Sequence, residues 1–79
     1  PYLGSDVRGL LFEPVDNFTA ISLRRAIELT LANYEPRIEV QSVEIEPQPD
    51  NYRYGVSISY RILTSLDTDN VTFFLERIR

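Results

Sequence analysis

The feature that most constrains how this chain can fold is Pro36, which lies where one apolar periodicity ends and another begins. From Asn17 to Tyr34, apolar residues recur every three or four positions, which is the helical spacing. From Arg37 onward they recur every second position, which is the spacing of a half-buried strand. Proline fixes φ and disfavours helical geometry in the residue before it. The sequence therefore predicts a long helix that ends at Tyr34, just before Glu35-Pro36, and a β-sheet that begins just after Pro36.

Other turn-forming residues divide the rest of the chain. Asp6 can cap a short helix that Pro14 ends, and Asp16 or Asn17 can cap the long helix. The predicted elements are a short helix over residues 6–13, a long helix over 17–34, and strands over 37–46, 52–63 and 71–78, with turns at 47–51 and 67–70.

The first strand changes phase partway along its length. Its apolar residues occupy even positions up to Val40 and odd positions from Val43 onward. One extra residue near Gln41-Ser42 has this effect, so we expect a β-bulge there.

The order of these elements predicts an α+β fold. Consecutive strands joined by short turns usually pair as an antiparallel meander. We therefore expect one domain, residues 1–79, in which two N-terminal helices, one short and one long, pack on a three-stranded antiparallel sheet. The opposite face of the sheet is expected to face water and to carry Glu39, Ser57, Ser59 and Arg61.

A three-stranded sheet leaves two edges whose backbone groups lack a partner. The last strand is rich in large apolar residues, namely Phe73, Phe74 and Leu75. We expect this edge to accept a strand from another chain, and we predict these three residues as partner-binding.

The long helix is apolar on two sides. The first stripe is expected to face the core and consists of Ala20, Leu23, Ile27, Leu31 and Tyr34. The second stripe lies on nearly the opposite side and consists of Phe18, Ile21, Arg25, Leu29 and Ala32. We expect the short helix to cover the second stripe through Leu10, Leu11 and Phe12. A partner protein is the alternative cover, and both could contribute.

The charge balance argues against nucleic acid as a partner. The net charge is −4, from twelve acidic and eight basic residues, and all eight basic residues are arginine. Nucleic-acid-binding domains usually carry a basic surplus, because phosphate contacts supply much of their affinity. No apolar run approaches the roughly 20 residues that cross a bilayer, so a membrane partner is not expected either.

The residue types leave few chemical sites open. Without cysteine or histidine, the chain can form neither a Ser-His or Cys-His catalytic pair nor the common zinc sites. Asp50, Asp67 and Asp69 are turn residues whose spacing fits no known metal loop. The glutamates that could be nominated for a glycosidase pair are Glu13, Glu28 and Glu35, and no cleft is implied around them. We therefore predict no catalytic residue, no metal and no cofactor.

Glu35, Pro36 and Arg37 form a rigid charged corner that has two interpretations. One is a local ion pair on a solvated surface, worth about 0–1 kcal/mol, which the spacing alone favours. The other is an acid-base pair presented to a partner, with Arg37 making a bidentate contact.

Three stretches in order carry a family resemblance. Pro1-Tyr2-Leu3-Gly4-Ser5 is followed by Leu10-Leu11-Phe12-Glu13-Pro14, and Tyr34-Glu35-Pro36-Arg37-Ile38 follows after the long helix. In this order and spacing the chain resembles the gpW/gene-25-like family of baseplate wedge proteins, over nearly its whole length. That family occurs in contractile phage tails and in related injection machines such as type VI secretion systems.

The resemblance implies a structural assembly protein. Family members attach to the wedge core bundle and act as a platform for the first ring of the tail sheath. Their fold is similar to the interlocking domain of the sheath protein, whose subunits add strands to a neighbour's sheet. The family's Glu-Pro-Arg motif maps onto Glu35, Pro36 and Arg37. The implied partners are core-bundle and sheath proteins, in several copies of a symmetric assembly, at a virion tail baseplate assembled in the host cytoplasm.

Two other functions are kept as alternatives. Some family members carry a lysozyme-like label, and a peptidoglycan-cleaving enzyme of this kind would depend on Glu13 or Glu35. A free-standing protein-binding adaptor domain is the other alternative.

Overall fold

The computed structural model describes residues 5–79, and for Ser5 and Tyr34 it describes the backbone alone. The elements are α1 (Ser5–Leu10), α2 (Asn17–Tyr34), β1 (Ile38–Gln48), a 3-10 turn (Pro49–Asn51), β2 (Arg53–Ile62) and β3 (Thr68–Glu76). Two helices, one short and one long, thus precede a three-stranded antiparallel sheet, which confirms the predicted α+β fold. Residues 1–4, which contribute to the family resemblance, lie outside the described residues. Neither α1 nor α2 is long and apolar enough to cross a membrane.

The long helix α2 begins and ends as predicted, and both ends show why. The Asp16 carboxylate accepts a hydrogen bond from the Thr19 backbone N–H at 2.7 Å, so an amide with no partner inside the helix is satisfied. That hydrogen bond is the main reason why the pKa of Asp16 lies below its ordinary value. At the other end, the Glu35 backbone N–H donates to the Leu31 carbonyl at 2.9 Å, and Pro36 follows.

The core lies between α2 and the sheet. Its buried residues are Leu11, Ala20, Leu23, Ile27, Val43, Tyr54, Val56 and Ile58. The first stripe of α2 therefore faces the core as predicted, with Leu31 half-buried against it. The side chain of Tyr34, which was predicted in the same stripe, lies outside the described part of the chain.

The sheet has the strand order β1-β2-β3, and both strand pairs are antiparallel. The predicted bulge is confirmed, because the register of β1 against β2 shifts between Val40 and Ser42. The outer face is polar, also as predicted. On it, the Arg61 guanidinium forms an ion pair with the Glu39 carboxylate at 3.1 Å, and the Asn70 amide donates to the Ser59 hydroxyl at 2.8 Å.

Two strand boundaries differ from the prediction. β1 extends to Gln48 and includes Pro47, which was placed in the turn. A proline is tolerated there because β1 is an edge strand, where a missing N–H can face solvent. β3 begins at Thr68 rather than Val71, so the turn lies at residues 63–67 and not at 67–70. The polar residues that suggested a turn lie in the strand instead, where Asn70 binds across to β2.

The helix α1 and the strand β3 also end earlier than predicted. α1 ends at Leu10, and the following turn is closed by a hydrogen bond from the Glu13 N–H to the Leu10 carbonyl at 3.1 Å. β3 ends at Glu76, and the Ile78 N–H donates to the Leu11 carbonyl at 2.8 Å instead of continuing the sheet. This bond joins the C-terminal segment to the loop after α1.

The second stripe of α2 is not covered by α1, contrary to the prediction. The exposed fractions are 83% for Phe18, 62% for Ile21 and 55% for Leu29. α1 has only six residues, and its apolar side chains, with those of the turn that follows, pack against the core through Val7, Leu10 and Leu11. Phe12 is exposed as well. The outer side of α2 therefore remains an open apolar surface.

Candidate protein-docking site

Glu35, Pro36 and Arg37 form an exposed corner between α2 and β1. The backbone is fixed on both sides of the corner. The Ile38 N–H donates to the Glu35 carbonyl at 3.2 Å, and the Leu63 N–H donates to the Arg37 carbonyl at 2.8 Å. The local ion pair that one of the two interpretations placed between Glu35 and Arg37 is absent, since the one ion pair among the described residues joins Arg61 to Glu39. The corner thus holds two exposed charged side chains on a fixed backbone.

The three residues predicted on the last strand do not form a single patch. Phe73 lies opposite Val56, and Leu75 lies opposite Tyr54, on the face of the sheet that carries the helices. Phe74 lies opposite Gly55 on the outer face. Only Phe73 and Leu75 can therefore contribute to a surface on the helix side of β3.

Phe74 has a structural role on the outer face. The Arg53 guanidinium lies over its ring, 3.8 Å from the ring centroid. The ring also lies beside the position that a side chain would occupy at Gly55, since a Cβ built there is 3.8 Å from the Phe74 ring. Phe74 therefore packs within this sheet, although half of its surface remains exposed.

An apolar groove separates β3 from the helices and has a volume of about 410 Å³. It exists because α2 lies over β1, which leaves the helix side of β3 without a helix on it. Thr30 is the only polar residue among the described residues that line it. The lining residues are Val7, Ile27, Thr30, Leu31, Ile58, Val71, Phe73 and Leu75. The groove thus joins the side chains of β3 to those of both helices.

The two free edges of the sheet differ in how readily they can pair with another strand. The edge of β1 is interrupted by the bulge after Val40 and by Pro47, and it carries several glutamates. Bulges, prolines and charges are the features by which proteins prevent pairing at an edge. β3 has nine residues without proline or a register shift, and its charged residues, Asp69 and Glu76, lie near its ends. The edge of β3 is therefore the one that is open to strand addition.

The corner and the Leu75 end of the groove lie at opposite ends of the sheet, whereas Leu31 in the groove wall adjoins the corner, because its carbonyl accepts from the Glu35 N–H. Arg61 pairs with the beginning of β1 on one side and with Thr68 on the other, so the corner lies at that end of the sheet. Leu75 pairs with Tyr54, seven residues farther along β2, or about 23 Å at 3.3 Å per residue. The sequence-predicted site residues are thus divided between two places.

Sequence reasoning missed the helix wall of the groove, which is formed by Val7, Ile27, Thr30 and Leu31. One signal could have indicated it. The link between α2 and β1 is only three residues long, so the end of α2 must lie near the start of β1. A helix held close to β1 leaves the far strand of a three-stranded sheet exposed.

The arrangement of the glutamates does not suit glycoside hydrolysis. Glu13 and Glu35 lie at opposite ends of α2, a helix of 18 residues and about 27 Å. A glycosidase pair needs roughly 5–10 Å between its carboxyl groups. Glu28 is exposed on the surface of α2 and does not line the apolar groove. In residues 5–79, no cluster of three or more aspartates or glutamates is placed to hold a metal ion.

Comparison with known proteins identifies relatives of this chain. The family model described as baseplate wedge protein gp25 matches residues 1–67 and ends just before β3. The baseplate wedge protein gp25 of Enterobacteria phage T4 is 36% identical over 67 residues, which cover 85% of this chain and 51% of the T4 protein. The chain therefore spans about half the length of this relative.

The fold is also similar to that of a solved structure. A crystal structure described as a candidate tail lysozyme from Geobacter sulfurreducens matches with a TM-score of 0.76, covering 86% of this chain and 62% of that one. At 23% identity this likeness shows the fold alone. The family match, by contrast, includes the Glu35-Pro36-Arg37 corner and covers most of the chain. The chain therefore belongs to the family of the baseplate wedge protein gp25.

Proposed function

We propose that this chain is a structural component of a contractile-tail baseplate wedge. In this role it attaches to the wedge core bundle and serves as a platform for the first ring of the sheath. Family membership supports the baseplate role. The single observation that carries the platform role is the open edge of β3, which lies beside an apolar groove.

Strand addition at β3 gives the platform a physical mechanism. A strand that pairs with the free edge satisfies backbone N–H and C=O groups that otherwise face water. Its side chains point alternately to the two faces of the sheet. Those on the helix side extend the apolar surface of Val71, Phe73 and Leu75 over the groove. We therefore expect the added sheath strand to be apolar at every second position and polar between them.

The Glu35-Pro36-Arg37 corner is the proposed contact with the core bundle. Both charged side chains are exposed and do not pair with each other, so no ion pair between them has to be broken before docking. A guanidinium on a fixed backbone suits a bidentate contact with a carboxylate of the partner. The corner and the Leu75 end of the β3 edge lie at opposite ends of the sheet, about 23 Å apart along β2, which leaves room for two partners at the same time.

The proposed place of action is the tail baseplate of a virion, assembled in the host cytoplasm, with several copies in a symmetric ring. The function proposed is structural and not enzymatic. It requires no cofactor, nucleic acid or membrane. A lysozyme-like activity is not favoured, because the exposed glutamates at the two ends of α2 are too far apart to act together.

The proposal is tested by reversing the charge at the corner. We expect Arg37→Glu to block assembly of sheathed tails, while the isolated chain keeps the melting temperature of the wild type. The chain should stay folded because the Arg37 side chain is exposed, and the backbone carbonyl that binds Leu63 is unchanged. Electron microscopy of particles assembled with the variant chain measures the outcome.

The matched control is Arg8→Glu, which makes the same charge change at an exposed position on α1. Particles with this variant should carry sheathed tails in normal numbers. Normal assembly with Arg37→Glu would show that the corner does not dock the chain. A failure of both variants would point to net charge instead of a specific contact.

A further inference from the structure

The edge of β3 has a defined set of free backbone groups. The Arg77 N–H donates to the Tyr52 carbonyl at 2.7 Å, one position beyond the pair of Arg53 and Glu76. Hydrogen-bonded and non-hydrogen-bonded pairs alternate along antiparallel strands, and the register of β3 against β2 does not shift. The odd-numbered residues of β3 therefore bond to β2. The even-numbered residues, from Thr68 to Glu76, direct their N–H and C=O groups to the free edge.

The odd-numbered side chains form a row with opposite charges at its two ends. The apolar part of the row consists of Val71, Phe73 and Leu75. The pleat places Asp69 before them and Arg77 after them on the same face. Asp69 is exposed, the Arg77 Nε is buried without a hydrogen-bond partner among the described residues, and neither side chain forms an ion pair there. An identical row running antiparallel to this one places a basic group opposite the acidic one and apolar groups opposite the apolar ones.

A second copy of the chain fits this edge when the two-fold axis passes through Phe73. Free backbone groups can bond only if even-numbered residues lie opposite even-numbered residues, so a two-fold axis must pass through a residue and not between two. With the axis at Phe73, Val71 lies opposite Leu75 of the second copy. Asp69 lies opposite Arg77 at both ends of the contact. Every side chain of the row then faces one that complements it.

The two neighbouring alignments lack this complementarity. An axis one residue earlier places Asp69 opposite Leu75, and an axis one residue later places Arg77 opposite Val71. Each would cover a charged group with an apolar side chain at both ends of the contact, which is costly without a compensating partner. The charges therefore select the alignment centred on Phe73.

We propose that two copies of this chain pair edge to edge through β3, antiparallel and centred on Phe73. The product is one continuous sheet of six strands, three from each copy. One strand from each copy is a small interface, so the dimer should be weak, and the dilute chain should be a monomer with a free edge. The dimer and a sheath-bound chain would exclude each other, a consequence that rests on the proposed function, whereas the pairing itself does not.

Charge exchange at the ends of the row tests the pairing. Asp69→Arg and Arg77→Asp each place like charges opposite each other twice in a dimer, so each variant should self-associate about tenfold or more weakly than the wild type. An equal mixture of the two variants restores both contacts and should associate as the wild type does. Sedimentation equilibrium at several concentrations measures the association, and circular dichroism checks that each variant is folded. Glu28→Arg makes the same charge change as Asp69→Arg at an exposed position on α2 and should leave the association unchanged.

Single-cysteine variants locate the axis independently of the charges. The chain has no cysteine of its own, and only a residue on the axis lies opposite its own copy. Opposite residues of antiparallel strands have Cα atoms about 4.5–5.5 Å apart, a distance that a disulfide spans. Under mild oxidation, Phe73→Cys should therefore form a disulfide-linked dimer faster than Thr72→Cys or Phe74→Cys.

Several results would overturn the proposal. They are a wild-type chain that stays monomeric at every concentration, a dimer that Asp69→Arg does not weaken, a mixture that associates no better than either variant alone, and fastest cross-linking at position 72 or 74. All of these measurements use the isolated chain. Their failure would therefore leave the baseplate role standing, since that role is tested on tail particles.

Discussion

The Tyr54 hydroxyl provides the most quantitative test of how this fold is held together. Tyr54 is completely buried in β2, and its hydroxyl reaches the loop between the two helices. It accepts a hydrogen bond from the Asp16 N–H at 3.3 Å and donates one to the Pro14 carbonyl at 3.4 Å. These bonds tie the loop to the sheet and so help to fix α1, whose Val7 forms part of the groove wall. The variant Tyr54→Phe removes both bonds and leaves the ring in place.

The expected loss follows from the geometry. A typical hydrogen bond contributes about 0.5–1.5 kcal/mol to the net stability of a protein. Both bonds here are at the long end of the normal range, and the loop residues that they reach are exposed, so water can replace the hydroxyl. We therefore expect the free energy of unfolding to fall by about 1 kcal/mol in total. For a domain of this size, that corresponds to a melting temperature lower by about 4–8 °C.

Thermal melting followed by circular dichroism measures this difference. Tyr60→Phe is the matched control, because Tyr60 is half-buried in the same strand and its hydroxyl bonds to no other described residue. The control should melt within about 2 °C of the wild type. If Tyr54→Phe melts with the wild type, the hydroxyl does not hold the loop. A fall of more than about 15 °C would mean that the substitution disrupts the core, and the reasoning would also fail.

Three further predictions follow from single contacts. Asp16→Asn should make folding less sensitive to acid. The pKa of Asp16 is lowered in the fold, so its carboxylate stabilises the fold at pH values above the ordinary pKa of 3.8, and this contribution is lost as the pH falls through the folded pKa. Acid titrations of the wild type and the variant by circular dichroism measure the difference. Phe73→Asp should cost roughly 1–2 kcal/mol of stability in a melt, since about two-thirds of the ring is buried, and it should prevent sheath loading in tail particles. Phe74→Ser should lower stability because Arg53 and Gly55 lose the ring that covers them. A larger fraction of tail particles should nevertheless carry sheath with Phe74→Ser than with Phe73→Asp.

Much of the fold could be predicted from the sequence because its main signals are local. The helical period and its cap residue gave the bounds of α2 correctly, and the change of phase after Val40 located the bulge. These features depend on residues close together in the chain. The strand boundaries were less predictable, because Pro47 and Asn70 act as turn residues in isolation but are accommodated by an edge strand and by a cross-strand hydrogen bond.

The docking surfaces were predicted only in part because they depend on packing between distant elements. The sequence identified Phe73, Phe74 and Leu75 as a cluster, whereas the pleat of β3 places Phe74 on the other face. It also assigned α1 to the outer side of α2, although α1 is too short to reach there after it packs on the core. The groove depends on α2 lying over β1, which the apolar periodicities do not encode and which only the three-residue link between α2 and β1 indicates.

Hydrogen–deuterium exchange of the chain in assembled tail particles, compared with the free chain, tests the central claim most directly. Backbone amides of an unpaired edge exchange readily, and strand addition protects them. We predict that the peptide spanning β3, Thr68–Glu76, becomes strongly protected on assembly, together with the segment that contains Glu35 and Arg37. Exchange in β3 that is unchanged from the free chain, with protection at the edge of β1 instead, would contradict the account.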